Sequence, residues 1–200
     1  MNPLTSLRTA VAAGFILSIA IALAVAPTAF FELGLARWLH VSAGIVWVGL
    51  LFYFLFVQMP ALAEAAADKD GPGGAGIVRY AAPLALKWFR IASVLTWLTG
   101  VWYLGRSGNL AGALVLGAGR GSLDRYQFTI GLGAWLGTIM LFNVWALIWP
   151  NQRKIMGIVP ASEQEKARAR SVARAASHAN LALSIPMLLC MTSATHGLPL

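Results

Sequence analysis

The chain has 200 residues, of which 58% are hydrophobic and 11% charged, with a mean hydropathy of +0.71. Soluble domains carry roughly 25% charged residues, so this composition excludes an ordinary soluble protein and points to the membrane class. The net charge of +8 does not indicate nucleic acid, because the basic residues sit in short loops between apolar runs, where such residues set topology. The single cysteine, Cys190, excludes an intrachain disulfide, a cysteine-rich zinc site and a C-x-x-C-H haem attachment.

Five apolar runs follow in chain order, at 9–30, 35–59, 81–104, 126–149 and 178–196. Each is long enough to cross a hydrocarbon core of about 30 Å at 1.5 Å per residue. Each is expected to be a helix, because a backbone in lipid finds no water to bond. The first run has features of a signal peptide, with Arg8 ahead of it and Ala24-Val25-Ala26 near its end, but is expected to be retained. Segment 68–74, Asp-Lys-Asp-Gly-Pro-Gly-Gly, reads as a flexible loop. Segment 110–117 is apolar but too short to span, and is expected to form a loop or a short interfacial helix. Segment 162–174 is alanine-rich and studded with charge, which predicts a helix outside the membrane running into the fifth span. The expectation is an all-α, polytopic membrane helix bundle with about five transmembrane helices, forming one integral membrane domain over 1–200.

Of the fifteen Lys and Arg residues, eleven fall at the N-terminus, around the second-to-third loop and after the fourth span. The other four, Arg37, Arg106, Arg120 and Arg125, fall on the opposite side. This asymmetry predicts an N-terminus inside and a C-terminus outside.

Ionisable side chains inside a bilayer are costly and mark functional paths. Three histidines stand out: His40, His178 and His196. In the predicted topology His40 and His196 share the outer face, whereas 18 residues, roughly 27 Å of helix, separate His178 from His196. His40 and His196 are therefore the candidate pair for metal ligation at a haem. Gly44 and Trp47 lie one and two turns on from His40 along the same face, where a small residue admits a ring and an aromatic lines it. Thr192 and Ser193 precede His196 by one turn and are candidates to orient it. The alternative is that His40 is an interfacial histidine and His196 a solvated one.

Lys87 and Arg90 lie three apart on one face of the third span and are a candidate anion or substrate site. Snorkelling to the inner surface competes with that role for the two cations. Asn143 and Asn180 are equally suited to bonding a neighbouring helix. Gln58 and Glu64 are expected to be solvated. Trp88, Trp97, Trp135 and Trp145 read as packing, as does the Gly133/Gly137 pair. No P-loop, dinucleotide fingerprint, nucleophile elbow or catalytic triad is present, and the catalytic residues are unknown.

The stretch Arg37-Trp38-Leu39-His40-Val41-Ser42-Ala43-Gly44-Ile45-Val46-Trp47-Val48-Gly49-Leu50 resembles the urate oxidase N-terminal domain family, the membrane domain of a bacterial urate hydroxylase. Three further stretches share the resemblance: Lys87-Trp88-Phe89-Arg90 with Leu95–Gly100; Gly137–Met140 with Phe142–Trp145 and Trp149–Lys154; and Asn180 with Leu183–Met187 and His196. Together they cover about residues 35–196. The first stretch is also similar to membrane protoporphyrinogen oxidases and copper-resistance membrane proteins. The resemblance implies a membrane redox module. It implies haem b ligated by His40 and His196, with Lys87, Arg90 and Asn143 as polar site residues. In that hydroxylase the membrane domain is joined to a C-terminal cytochrome c, and these 200 residues hold no C-x-x-C-H motif for one. A cytochrome c or other redox partner at the outer face is then expected as a separate chain. Electron transfer is the expected function, with oxidation of a small anion such as urate as its enzymatic version. A cofactor-free accessory subunit of a larger respiratory or photosynthetic membrane complex is the alternative, and a transporter a third.

Overall fold

A computed structural model describes residues 6–25, 31–118 and 123–197. Every regular element among them is helical. Five long helices, α1 (Leu7–Val25), α2 (Phe31–Ala67), α3 (Ile77–Arg106), α5 (Arg125–Ile155) and α6 (Glu163–Ser193), are each long and apolar enough to cross a membrane. A short helix, α4 (Leu110–Leu114), follows α3. The chain is a multi-pass membrane protein, and each predicted span falls largely on one of these helices.

Several helices outrun their apolar runs. The 37 residues of α2 extend for about 55 Å, well beyond a hydrocarbon core of about 30 Å. The charged segment before the fifth span is one unbroken helix with it, so α6 starts at Glu163. Its start is set by a capping box: Glu165 N–H donates to Ser162 Oγ at 3.2 Å, and Ser162 N–H donates to the Glu165 carboxylate at 2.8 Å. Asp124 caps α5 in the same manner by accepting from Gln127 N–H at 3.0 Å.

The helices alternate in direction. α2 lies antiparallel to α3, with Glu32 meeting Arg106 at one end and Phe54 meeting Phe89 further along. α5 lies antiparallel to α6, with Gly133 against Cys190 and Asn143 against Asn180. One end of the bundle is therefore marked by Glu32 and the other by Lys154. The core draws on α2 (Trp47, Val48, Leu51), α3 (Phe89, Ala92), α5 (Met140, Val144, Ile148) and α6 (Ala176, Met187). α1 buries no residue and meets the bundle through an edge contact of Phe15 with Trp38, their ring centroids 5.2 Å apart.

The distribution of polarity is that of a protein dissolved in lipid. Large apolar side chains such as Ile45, Phe56, Leu98, Phe142 and Ile185 point outward. Ser93, Thr96, Thr129, Asn180, Ser184 and Ser193 are buried. Lipid offers polar groups no partner, so they turn inward to find one.

Three π-helical segments interrupt the long helices: Phe54–Gln58 in α2, Ile77–Ala81 at the start of α3 and Asn143–Ile148 in α5. Each ends two residues before a proline: Pro60, Pro83 and Pro150. A proline ring clashes with the carbonyl four residues earlier and removes one N–H. A widened turn relieves that clash and rebonds the backbone, which lipid requires. All three segments lie toward the Lys154 end.

Candidate functional site

His40 stands on the face of α2 that packs on α3. Its Nδ1–H donates to the Thr96 carbonyl at 2.7 Å. Gly44, one turn on, lies against Thr96, with 3.7 Å between a methyl placed there and Thr96 Cγ2. The imidazole covers Gly100, where an added methyl would sit 2.9 Å from His40 Cε1. The glycine at 100 is thus required by the close approach of the ring. With Nδ1 holding the proton, the neutral imidazole keeps its lone pair on Nε2. That is the arrangement of a histidine oriented from behind by a backbone carbonyl so that its other nitrogen can ligate. Trp47 continues the same face into the core, and its Nε1–H is buried with no acceptor among the described residues.

His196 is not brought to His40. The helix α6 ends at Ser193, and His196 lies in the turn that follows, exposed, with its N–H donating to the Ser193 carbonyl at 3.1 Å. The depths also differ. Trp97, level with His40, donates to Thr138 on α5 at 3.0 Å, while Gly133, five residues nearer the Glu32 end, meets Cys190 and Met191 on α6. The α6 position level with His40 is therefore near 185, and His196 lies about eleven residues beyond it, roughly 15 Å along the bundle. The matched depth expected for the pair came from placing both residues near one membrane face. Thr192 turns back to the Leu188 carbonyl at 2.9 Å and does not serve His196. His178 is exposed on α6.

Of the expected trio, Lys87 and Arg90 stay three residues apart on α3, while Asn143 is engaged with α6. Lys87 is exposed. Asn143 donates to Asn180 Oδ1 at 2.8 Å, and Asn180, fully buried, donates to the Met140 carbonyl at 3.1 Å. Asn180 is thus a mid-helix clasp between α5 and α6, whereas its place at the start of the apolar run had suggested a span end. Arg90 lies flat on Trp149, its guanidinium carbon 3.3 Å from the ring centroid, with Trp145 at 5.8 Å. Such stacking stabilises a desolvated cation by about 0.5–2 kcal/mol. Trp145 and Trp149 are four apart across the end of the π segment of α5, and both reach Arg90.

Two features were missed from the sequence. Glu32 accepts from Arg106 and from Trp102 Nε1, the ion pair closing at 2.8 Å, and so ties the start of α2 to the end of α3. An acid opening one span opposite a base closing its antiparallel neighbour was the available signal. Gln58, expected to be solvated, instead has its Oε1 buried with no donor among the described residues. It closes the π segment of α2.

Among the described residues no three His, Cys, Asp or Glu side chains come together as a metal-binding group. A metal held wholly by protein side chains has no donor set there. A haem brings four nitrogens of its own and asks the protein for one or two axial ligands, a demand that His40 Nε2 fits.

No curated protein and no solved structure shows significant similarity to the chain. The urate oxidase N-terminal family model matches residues 122–199. The segment containing α5 and α6, with Asn143, Asn180 and His196, therefore carries the signature of the urate oxidase N-terminal family.

Proposed function

We propose that the chain is an integral membrane b-type haem protein that passes electrons to or from a partner, with His40 as an axial ligand. The observation that carries this reading is the bond from His40 Nδ1–H to the Thr96 carbonyl, which leaves Nε2 free and its ring fixed. A haem at this position supplies one-electron redox chemistry. The chain's own residues do the rest. The Thr96 carbonyl holds the proton on Nδ1 and so leaves the lone pair on Nε2. Gly100 lets the ring rest against α3 and Gly44 lets α2 approach Thr96, and the surrounding apolar helices exclude water. The pairing of His40 with His196 is not retained, for the reason of register given above.

His40 is nine residues from the start of α2, close to the Glu32 end of the bundle. The eleven-to-four distribution of basic residues orients that end outward, in the bacterial inner membrane. A cytochrome c or similar redox protein would then approach from that side. Oxidation of a small anion such as urate is the enzymatic extension of this reading, supported by the family match of the C-terminal segment.

The test is a visible absorption spectrum of the purified protein, oxidised and dithionite-reduced, with a pyridine haemochrome assay after expression with haem supplied. A stoichiometric b-type signal that is lost in His40→Ala supports the reading. A colourless protein sinks it and leaves a cofactor-free accessory subunit of a larger membrane complex.

A further inference from the structure

We infer that Arg90, with Trp145 and Trp149, forms a binding site for an oxyanion that the chain itself does not supply. The site is separate from His40. His40 bonds to the Thr96 carbonyl and rests against Gly100, six and ten residues along α3 from Arg90, roughly 9 to 15 Å of helix. The anion site is built from residues other than those that hold His40.

Three observations carry it. First, the guanidinium of Arg90 is presented flat. Its carbon is 3.3 Å from the Trp149 centroid, and its Nε–H donates to the Leu86 carbonyl at 3.3 Å. Stacking and that bond fix the plane of the group, while its two terminal amino groups have no hydrogen-bond or ion-pair partner among the described residues. Second, no carboxylate of the described chain serves it. Glu32 pairs with Arg106, Glu163 with Lys166, Asp124 and Glu165 cap helices, and Asp68 bonds within its own loop. A half-buried cation in a membrane bundle without a counter-charge is costly, so an arginine kept there calls for an anion from elsewhere. Third, the cradle is built. The π segment Asn143–Ile148 and the helical turn after it bring Trp145 and Trp149 together onto this one arginine.

An arginine whose face is covered and whose edge is free is matched to a carboxylate, phosphate or similar planar or tetrahedral oxyanion, bound by two parallel N–H donors. Two sources share this chemistry. One is the phosphate of an anionic lipid, since Trp149 lies two residues before the polar run Asn151-Gln152-Arg153-Lys154 that ends α5. The other is a small soluble oxyanion.

The experiment uses the full chain in nanodiscs. In phosphatidylcholine alone, urate is titrated calorimetrically. In discs containing phosphatidylglycerol, native mass spectrometry counts the phosphatidylglycerol retained by the ejected protein. Wild type is expected to bind one of these probes. Arg90→Gln should weaken that probe roughly tenfold or more, and Arg90→Lys, which keeps the charge but loses the fork, should also weaken it. Arg106→Gln, at the Glu32 end of the bundle, should leave it unchanged. Retention of one phosphatidylglycerol that depends on Arg90 assigns a lipid phosphate, and urate binding that depends on Arg90 assigns a soluble anion. The inference is overturned if wild type binds neither probe, or if the arginine variants bind as wild type does. If Arg90→Gln does not fold, judged by gel filtration, Arg90→Lys and Trp149→Phe decide between these outcomes. Any haem absorbance should persist in all these variants, so failure here is distinct from failure at His40.

Discussion

His40 and Arg90 sit in the same bundle about two and a half turns of helix apart along α3, and they solve the problem of polarity in lipid differently. His40 places its Nδ1–H on the Thr96 carbonyl, and that one bond holds the ring. Arg90 keeps a full charge, and its stacking on Trp149 and one bond to Leu86 leave two amino groups unmet. A neutral imidazole held from behind offers a lone pair. A stacked guanidinium offers donors. The comparison teaches that one bundle presents two complementary chemistries, one to a Lewis acid and one to an anion.

The sharpest way to break the comparison is at the imidazole. His40→Ala should remove nearly all haem absorbance, read in the reduced spectrum, whereas His196→Ala and His178→Ala should leave it in place. Loss of haem in His196→Ala would restore the pairing that the helix register argues against. Next is Asn180→Ala, which leaves Asn143 without its acceptor in the bundle interior. A stability loss of about 1–3 kcal/mol is expected from the orphaned donor, read as a lowered melting temperature in detergent. Retained haem in that variant would show that the α5–α6 clasp is structural and independent of His40.

A finer probe is Gly100→Ala. The new methyl would press on the His40 ring at 2.9 Å. Because the ring is the mobile partner, it should swing off the Thr96 carbonyl. Haem retention should fall severalfold, with a stability change of about 1 kcal/mol, small for overpacking. A normal haem content would mean that the Thr96 bond does not position the ligand. The smallest effect is expected from Glu32→Gln. The pair with Arg106 is exposed, and exposed pairs contribute little, so no measurable shift in melting temperature is expected at moderate salt.

Much of the architecture was legible because lipid is a severe solvent. Five apolar runs in sequence could only be helices. The face carrying His40, Gly44 and Trp47 was readable from spacings of four and three, and the structure packs that face on α3. Less of the site was legible. His196 looked level with His40 because both sit near a span end, but depth depends on where each helix begins and how it slides past its neighbour. Arg90 was singled out for its charge, while nothing in the sequence tied Trp149 to it. The π segments were not foreseen, although the prolines at 60, 83 and 150 were in plain view. A proline announces a disturbed turn, not how the turn is repaired.

The composition and periodicity of the chain alone established a helical membrane protein, its spans, and a short set of ionisable residues out of place in lipid. Those properties follow from local chemistry, namely the cost of unbonded backbone and of charge in hydrocarbon. Which of those residues meet was settled by packing. The register of α5 on α6 joined Asn143 to Asn180 and carried His196 away from His40. The widened turn of α5 laid Trp145 and Trp149 over Arg90. Register and turn type are set by contacts between residues far apart in the chain, and no window of sequence contains both partners.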